Sequence, residues 1–250
     1  MARIQIKTPE STYTFDRIDE NVLKTVDEVL DKIVEEYARG ETHVSEGGST
    51  HGPFIDGAYR HHRYIASRSY EIDVDYRTTD PDAALASMIS DMISRILDEI
   101  HELIDEKIEE LAKQYGYEVV DADSSEACFD RILYNEKYGY EFSVGWCLED
   151  YRYETGCGFG VGGATIPSLN EILSDIRRQL EEVKRLEELA TNYPYVAIAV
   201  ALRNVYPDNV VKVMKLGNSR AVPVRTIELG KHVKRYVVES GRLECFELTE

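Results

Sequence analysis

Tyr70-Glu-Ile-Asp-Val-Asp-Tyr76 and the run from Asp80-Pro81 to Gly116 together decide the fold class. In the first stretch Tyr70, Ile72, Val74 and Tyr76 share one face, and Glu71, Asp73 and Asp75 share the other. That is the period of a strand with one buried side. In the second, Leu85, Met88, Met92, Ile96, Ile100, Leu103, Ile108, Leu111 and Tyr115 recur at helical spacing. Asp80-Pro81 offers a cap and a first-turn proline, and Gly116 a stop. At roughly 1.5 Å per residue the helix over 82–115 is about 50 Å long. A helix of that length calls for a coiled-coil partner or a broad sheet beneath it.

Upstream, residues 2–7 and 11–15 read as a hairpin around Pro9-Glu10. Asp16 is placed to cap a helix over 17–38, with Ile18, Val22, Val26, Val29, Ile33 and Tyr37 inward and Gly40 at its end. Residues 41–53 are polar and Gly-rich, which predicts a loop, and 59–77 read as one long or bent strand. Downstream, strands are expected at 117–121, 127–134, 138–148 and 151–161. Ser168-Leu-Asn-Glu171 is a capping box that launches a helix to about residue 191. Val196 to Leu202 suits a central strand, and three or four strands follow.

Reading 69–203 as β-α-β-β-α-β predicts an α+β protein with a ferredoxin-like antiparallel sheet covered by two long helices. An N-terminal ββα extension and a C-terminal β meander complete it. The expected division is an acidic α+β body over 1–207 and a basic β segment over 208–250.

The chain is 43% hydrophobic and 30% charged, with a net charge of −18, so its body repels phosphate backbones and anionic membranes. No stretch approaches the roughly 20 apolar residues of a membrane span, and the opening Met1-Ala-Arg-Ile lacks a signal peptide's apolar run. A cytoplasmic protein is the expectation. Abundant Glu, Arg, Ile, Val and Tyr with scarce Gln give a thermophile-like flavour. Cys128, Cys147, Cys157 and Cys245 lack the tight pairs of a zinc site; strand positions facing inward are the expectation for Cys147 and Cys157, ahead of a metal or a disulfide.

Three constellations could carry chemistry. Glu71, Asp73 and Asp75 stand on one strand face about 7 Å apart, a spacing that could hold Mg²⁺ or Mn²⁺ for phosphoryl transfer. Surface pairing with Arg60, Arg63 and Arg68 is the plain alternative. His43, His51, His61 and His62 cluster within twenty residues, with His51 and His62 the candidate metal ligands and exposed loop histidines the plain alternative. Gly156, Gly158, Gly160 and Gly162 alternate with Cys157, Phe159 and Val161. The pattern matches neither a P-loop nor a dinucleotide fingerprint. On a strand it leaves one face bare, open to close packing or to a flat ligand.

The tail differs from the body. Residues 210–250 hold eight basic against five acidic side chains, a charge of +3, which leaves −21 on the first 209 residues. Val211-Lys-Val-Met-Lys-Leu-Gly-Asn-Ser-Arg-Ala-Val-Pro-Val224 resembles the opening of AbrB/MazE-type swapped-hairpin DNA-binding domains. Tyr236-Val-Val-Glu-Ser-Gly-Arg-Leu-Glu-Cys-Phe-Glu-Leu248 is similar to their closing hairpin. It departs from them in placing Pro223 two positions early and in shortening the intervening helix to Thr226-Ile-Glu-Leu-Gly230. The resemblance implies that Lys212, Lys215, Asn218 and Arg220 face DNA. A plain meander is the alternative.

The sequence therefore supports a non-enzymatic binding or regulatory protein without a cofactor. Its acidic body would serve protein–protein association or self-association as a homo-oligomer, and its basic tail would touch DNA. The alternative is a metal-dependent phosphotransfer or nuclease-like enzyme built on Glu71, Asp73 and Asp75.

Overall fold

The computed structural model describes residues 2–137, 140–192, 211–215, 224–229, 232–239 and 242–243. In chain order its elements are β1 (Arg3–Lys7), β2 (Thr12–Phe15), α1 (Glu20–Ala38), β3 (Val44–His51), β4 (Arg60–Ala66), β5 (Glu71–Arg77) and α2 (Ala83–Tyr115). There follow β6 (Glu118–Ser124), β7 (Cys128–Asn135), β8 (Tyr140–Cys147), β9 (Glu149–Gly156), β10 (Phe159–Ile166) and α3 (Leu169–Asn192). The last are β11 (Val211–Lys215), β12 (Val224–Leu229), β13 (His232–Glu239) and β14 (Arg242–Leu243). The chain divides into two compact units, one comprising residues up to 135 with 140–177, the other residues 136–139 with 178–250.

The first unit is built on a seven-stranded antiparallel sheet ordered β2-β1-β5-β4-β3-β10-β9. Ile4, Ile6, Ile72, Val74, Ile65, Val44, Ala164 and Ile166 are buried on one face of it. Helices α1 and α2 pack on that face through Val26, Leu30 and Ile33 and through Ile89, Ile93 and Ile96. Burying this many aliphatic side chains supplies the main favourable term in folding, about 1.5–3 kcal/mol for each one fully buried. The α+β class, the antiparallel sheet and its cover of long helices agree with the sequence reading. The strand order differs from a ferredoxin-like closure, because β6, β7 and β8 form a separate three-stranded sheet. The strand expected over 196–202 lies outside the described residues.

Two local readings change for physical reasons. Residues 41–53, expected as a loop, contain β3, which bridges β4 and β10. Its glycines are strand residues with no room for a side chain. A Cβ on Gly48 would sit 2.5 Å from the His62 carbonyl oxygen, and one on Gly47 would sit 2.7 Å from the Tyr64 ring. The long strand expected over 59–77 is a hairpin, folded by a turn in which the Ser67 N–H donates to the Tyr70 carbonyl at 2.8 Å.

Helix boundaries follow the capping groups. Asp19, rather than Asp16, caps α1, its Oδ1 accepting from the N–H groups of Asn21 and Val22 at 2.9 and 3.0 Å. At the start of α2, Asp80 Oδ2 takes the Arg77 N–H at 2.8 Å, while Asp82 Oδ2 takes the Ile18 N–H at 3.0 Å and ties the entry of α1 to that of α2. The Ser168–Glu171 capping box forms as expected, with Ser168 Oγ donating to Glu171 Oε2 at 2.6 Å.

Helix α2 resolves the length problem by serving two sheets. Its buried stripe is Ala86, Ile89, Ile93, Ile96, Ile100, Ile104, Ile108 and Leu111; Leu85 and Met92 lie half-buried on its shoulder and Met88 is exposed. The first half of the helix lies on β4 and β5, and the second half reaches β6. His101 contacts the Phe129 ring edge-on at 4.6 Å, and Phe129 stacks on Trp146 at 4.6 Å. The half-buried Arg131 pairs with Asp105 on the same helix.

Cys128 and Cys147 are direct partners across β7 and β8 and form a disulfide, which corrects the expectation of an unbonded Cys147. The β7–β8 register brings two cysteines nineteen residues apart face to face. Cys157 is exposed at the β9–β10 turn instead of facing inward, and Cys245 lies outside the described residues. In the second unit, β11-β12-β13-β14 form a four-stranded antiparallel meander.

Candidate functional site

The acids of β5 all lie on the sheet face opposite α1 and α2, and each has a basic partner. Glu71 pairs with Lys7 at 3.8 Å and Asp73 with His62 at 3.2 Å; Arg60 Nε donates to Asp75 Oδ1 at 2.8 Å. The Arg60 hydrogen bond holds the Asp75 carboxyl below its ordinary range against the opposing effect of burial. The row is thus a cross-strand ion-pair ladder.

His51 and His62 share that outer face, with Ser49 opposite His62 and Arg60 opposite His51. Both line a shallow depression together with Tyr64, Arg152, Val161 and Thr165. His61, one residue away, turns to the other face, stacks on Tyr76 at 5.2 Å and meets Thr50 Oγ1 at 3.2 Å. His43 pairs with Glu171 at 2.8 Å near the start of α3. Among the described residues no three His, Cys, Asp or Glu side chains converge as a metal site. Lys212 and Lys215 lie on β11, while Asn218 and Arg220 lie outside the described residues.

On the helix side of the sheet the far strands build a cleft of about 500 Å³. Strand pairing sets its contents in rows. One row runs Tyr76, His61, Thr50, Gly160 and Thr155; the next runs Val74, Arg63, Gly48, Gly162 and Tyr153; Glu46 and Ala164 stand in the third. Gly48 faces Gly162 directly here, and the adjoining Gly47–Gly163 pair lies on the outer face. The Arg63 stem covers Gly48, and the Tyr153 ring stands over Gly162, 3.4 Å from where a Cβ would be. A Cβ on Gly160 would meet nothing within 4 Å among the described residues. The sheet's backbone is bare at that point, flanked by Thr50 and Thr155 in its own row and by Arg63 and Tyr153 in the adjoining one.

The wall is polar. Arg63 reaches Glu46 at 3.4 Å, and its Nε is buried with no hydrogen-bond partner among the described residues. Burial pushes the Glu46 carboxyl above its ordinary pKa, with Arg63 opposing. Ser90 of α2 and Tyr151 of β9 close the sides. A donor with spare capacity, an acceptor beside it, an aromatic ring and a bare floor thus converge on one slot. Of the four glycines expected to share one strand face, Gly160 and Gly162 stand on this one, whereas Gly156 ends β9 on the outer face opposite Phe159 and Gly158 lies in the turn with a left-handed φ of 79°. The parts contributed by β3 and β4, Glu46, Gly48 and Arg63, carried no local signal, because only pairing across more than a hundred residues brings β3 to β10.

No protein-family model matches this chain, and neither a curated protein nor a solved structure was found to match it.

Proposed function

We propose that this chain is a non-catalytic binding protein whose acidic body receives a flat, polar ring over Gly160. The open space above that residue, in a cleft also lined by Arg63 and Tyr153, carries the reading. A planar ring lies on bare backbone where a side chain would hold it off. Tyr153 offers a stacking face, the Arg63 guanidinium a planar donor fork, and Glu46 an acceptor. The ligand class is a heterocycle bearing both donors and acceptors, of the nucleobase kind. Saturation-transfer NMR with adenosine, guanosine, cytidine and uridine tests it. At least one should give signal with the full chain and lose it in Gly160→Val. Silence from all four would refute the assignment.

The charge contrast between tail and body favours a second contact. The +3 of residues 210–250 against −21 elsewhere supports DNA contact through Lys212, Lys215, Asn218 and Arg220. Duplex binding followed by fluorescence anisotropy should weaken steeply between about 50 and 200 mM salt. It should also drop in Lys212→Ala/Lys215→Ala, and binding insensitive to both would remove the reading. A Mg²⁺- or Mn²⁺-dependent enzyme on Glu71, Asp73 and Asp75 has less support, since each acid already has a basic partner. No helix among the described residues is long and apolar enough to cross a membrane. We place the protein in the cytoplasm, where the Cys128–Cys147 disulfide fits the thermophile-like composition, since disulfides are common inside cells of hyperthermophiles.

A further inference from the structure

We propose that two copies of this chain join through β9 into one continuous sheet, with Tyr153 opposite Tyr153 of the second copy. This goes beyond the cleft reading and does not depend on it. Strand β9 ends the seven-stranded sheet, and all eight of its residues are exposed. Its outer backbone groups have no strand partner among the described residues. Natural sheets guard such an edge with shortness, lysine, proline or a bulge. Here the guard covers one end only. The register slips opposite Gly163–Thr165, where Asp150 takes a left-handed φ of 50°, but pairing with β10 is regular from Arg152 to Gly156.

That regular stretch, Arg152-Tyr-Glu-Thr-Gly156, selects its own partner by charge. A two-fold axis perpendicular to the sheet keeps each face on its side, so the central residue must oppose itself. Centring on Arg152 sets two guanidinium groups together, and centring on Glu154 sets two carboxylates together. Centring on Tyr153 places Arg152 opposite Glu154 of the second copy, twice over, with the two tyrosine side chains adjacent on the helix-side face. Opposite charges at facing positions stabilise an antiparallel pair and like charges oppose it. Tyr153, which would meet its counterpart across the axis, is 67% exposed. The dimer would bring two Gly160 clefts to either side of the axis.

Light scattering after size exclusion tests the proposal on the full chain at about 100 µM, where a micromolar contact is saturated. The expected mass is twice the 28.6 kDa of one chain. Arg152→Glu sets acid against acid and Glu154→Arg sets base against base, so each should halve the mass. The double variant Arg152→Glu/Glu154→Arg exchanges the charges and should restore it. These side chains are exposed, and circular dichroism should find all three variants folded. A monomeric natural chain would overturn the proposal, as would a mass unchanged in both single variants. A folded double variant that stays monomeric would overturn the register.

Discussion

The glycine-lined strands make a prediction whose sign reverses between two neighbouring strands. Gly48→Ala and Gly160→Ala add the same methyl group to the same face of the same sheet. Neither glycine has a left-handed φ, so backbone strain does not separate them. Their surroundings do. At Gly48 the methyl would lie 2.5 Å from the His62 carbonyl oxygen and 3.3 Å from Arg63 Cδ. Arg63 can swing away, but the carbonyl belongs to the paired strand and moves only if β3 and β4 part. Overpacking of this kind costs about 1–3 kcal/mol, and a backbone obstacle puts it in the upper part of that range. The loss of unfolded-state freedom on replacing glycine returns about 0.4–1 kcal/mol. Gly48→Ala should therefore lose about 2 kcal/mol net.

At Gly160 the methyl meets nothing within 4 Å among the described residues, so only the favourable entropy remains. That variant should gain about 0.5 kcal/mol. For a chain of this size 1 kcal/mol moves the midpoint by about 2–4 °C, which separates the two variants by roughly 5–10 °C. Thermal unfolding followed by circular dichroism reads the difference. Equal midpoints, or Gly160→Ala melting first, would refute the packing that defines the cleft.

Other outcomes follow from the three-stranded sheet. The Cys128–Cys147 disulfide closes a loop of nineteen residues and should contribute about 3 kcal/mol, lost on reduction. Differential alkylation with mass spectrometry should find that pair protected and Cys157 labelled; labelling of Cys128 without reductant would sink the assignment. Burial lowers the His101 pKa, with Asp105 and Asp98 opposing. The unfolded chain then binds the proton more readily, so this stability is full above the ordinary value of 6.5 and is lost as pH falls below it. His101→Phe should flatten the dependence over that window, and an unchanged slope would place its source elsewhere. Arg131→Met leaves Asp105 without its partner at 40% exposure, which should cost about 1–2 kcal/mol by denaturant titration. A neutral result would mean that the stem's packing, not its charge, matters.

What the sequence disclosed tracks the range of the forces involved. The period of β5 and of α2 and the capping box at Ser168 depend on residues within a few positions, and each element stands where its pattern put it. In α2 the face was off by one position in its first half because Leu85, Met88 and Met92 form an apolar stripe beside Ala86, Ile89 and Ile93. Only the sheet beneath chooses between adjoining stripes, and close helix–sheet packing favours alanine and β-branched isoleucine over methionine. Residues 44–51 failed as a strand prediction for a related reason. Val44-Ser-Glu-Gly-Gly-Ser-Thr-His51 is glycine-rich because a side chain at either glycine would strike the neighbouring strand, Gly47 at the Tyr64 ring on the outer face and Gly48 at the His62 carbonyl. The pairs Gly48–Gly162 and Gly47–Gly163 join residues more than a hundred positions apart. Read singly, each glycine suggests a turn or a weak strand. Read as facing pairs, they remove side chains from neighbouring strands at the same level. Arg63 and Tyr153 fill part of the space so created, and above Gly160 it stays open. The candidate site is thus a property of strand pairing, which is why no contiguous motif encodes it.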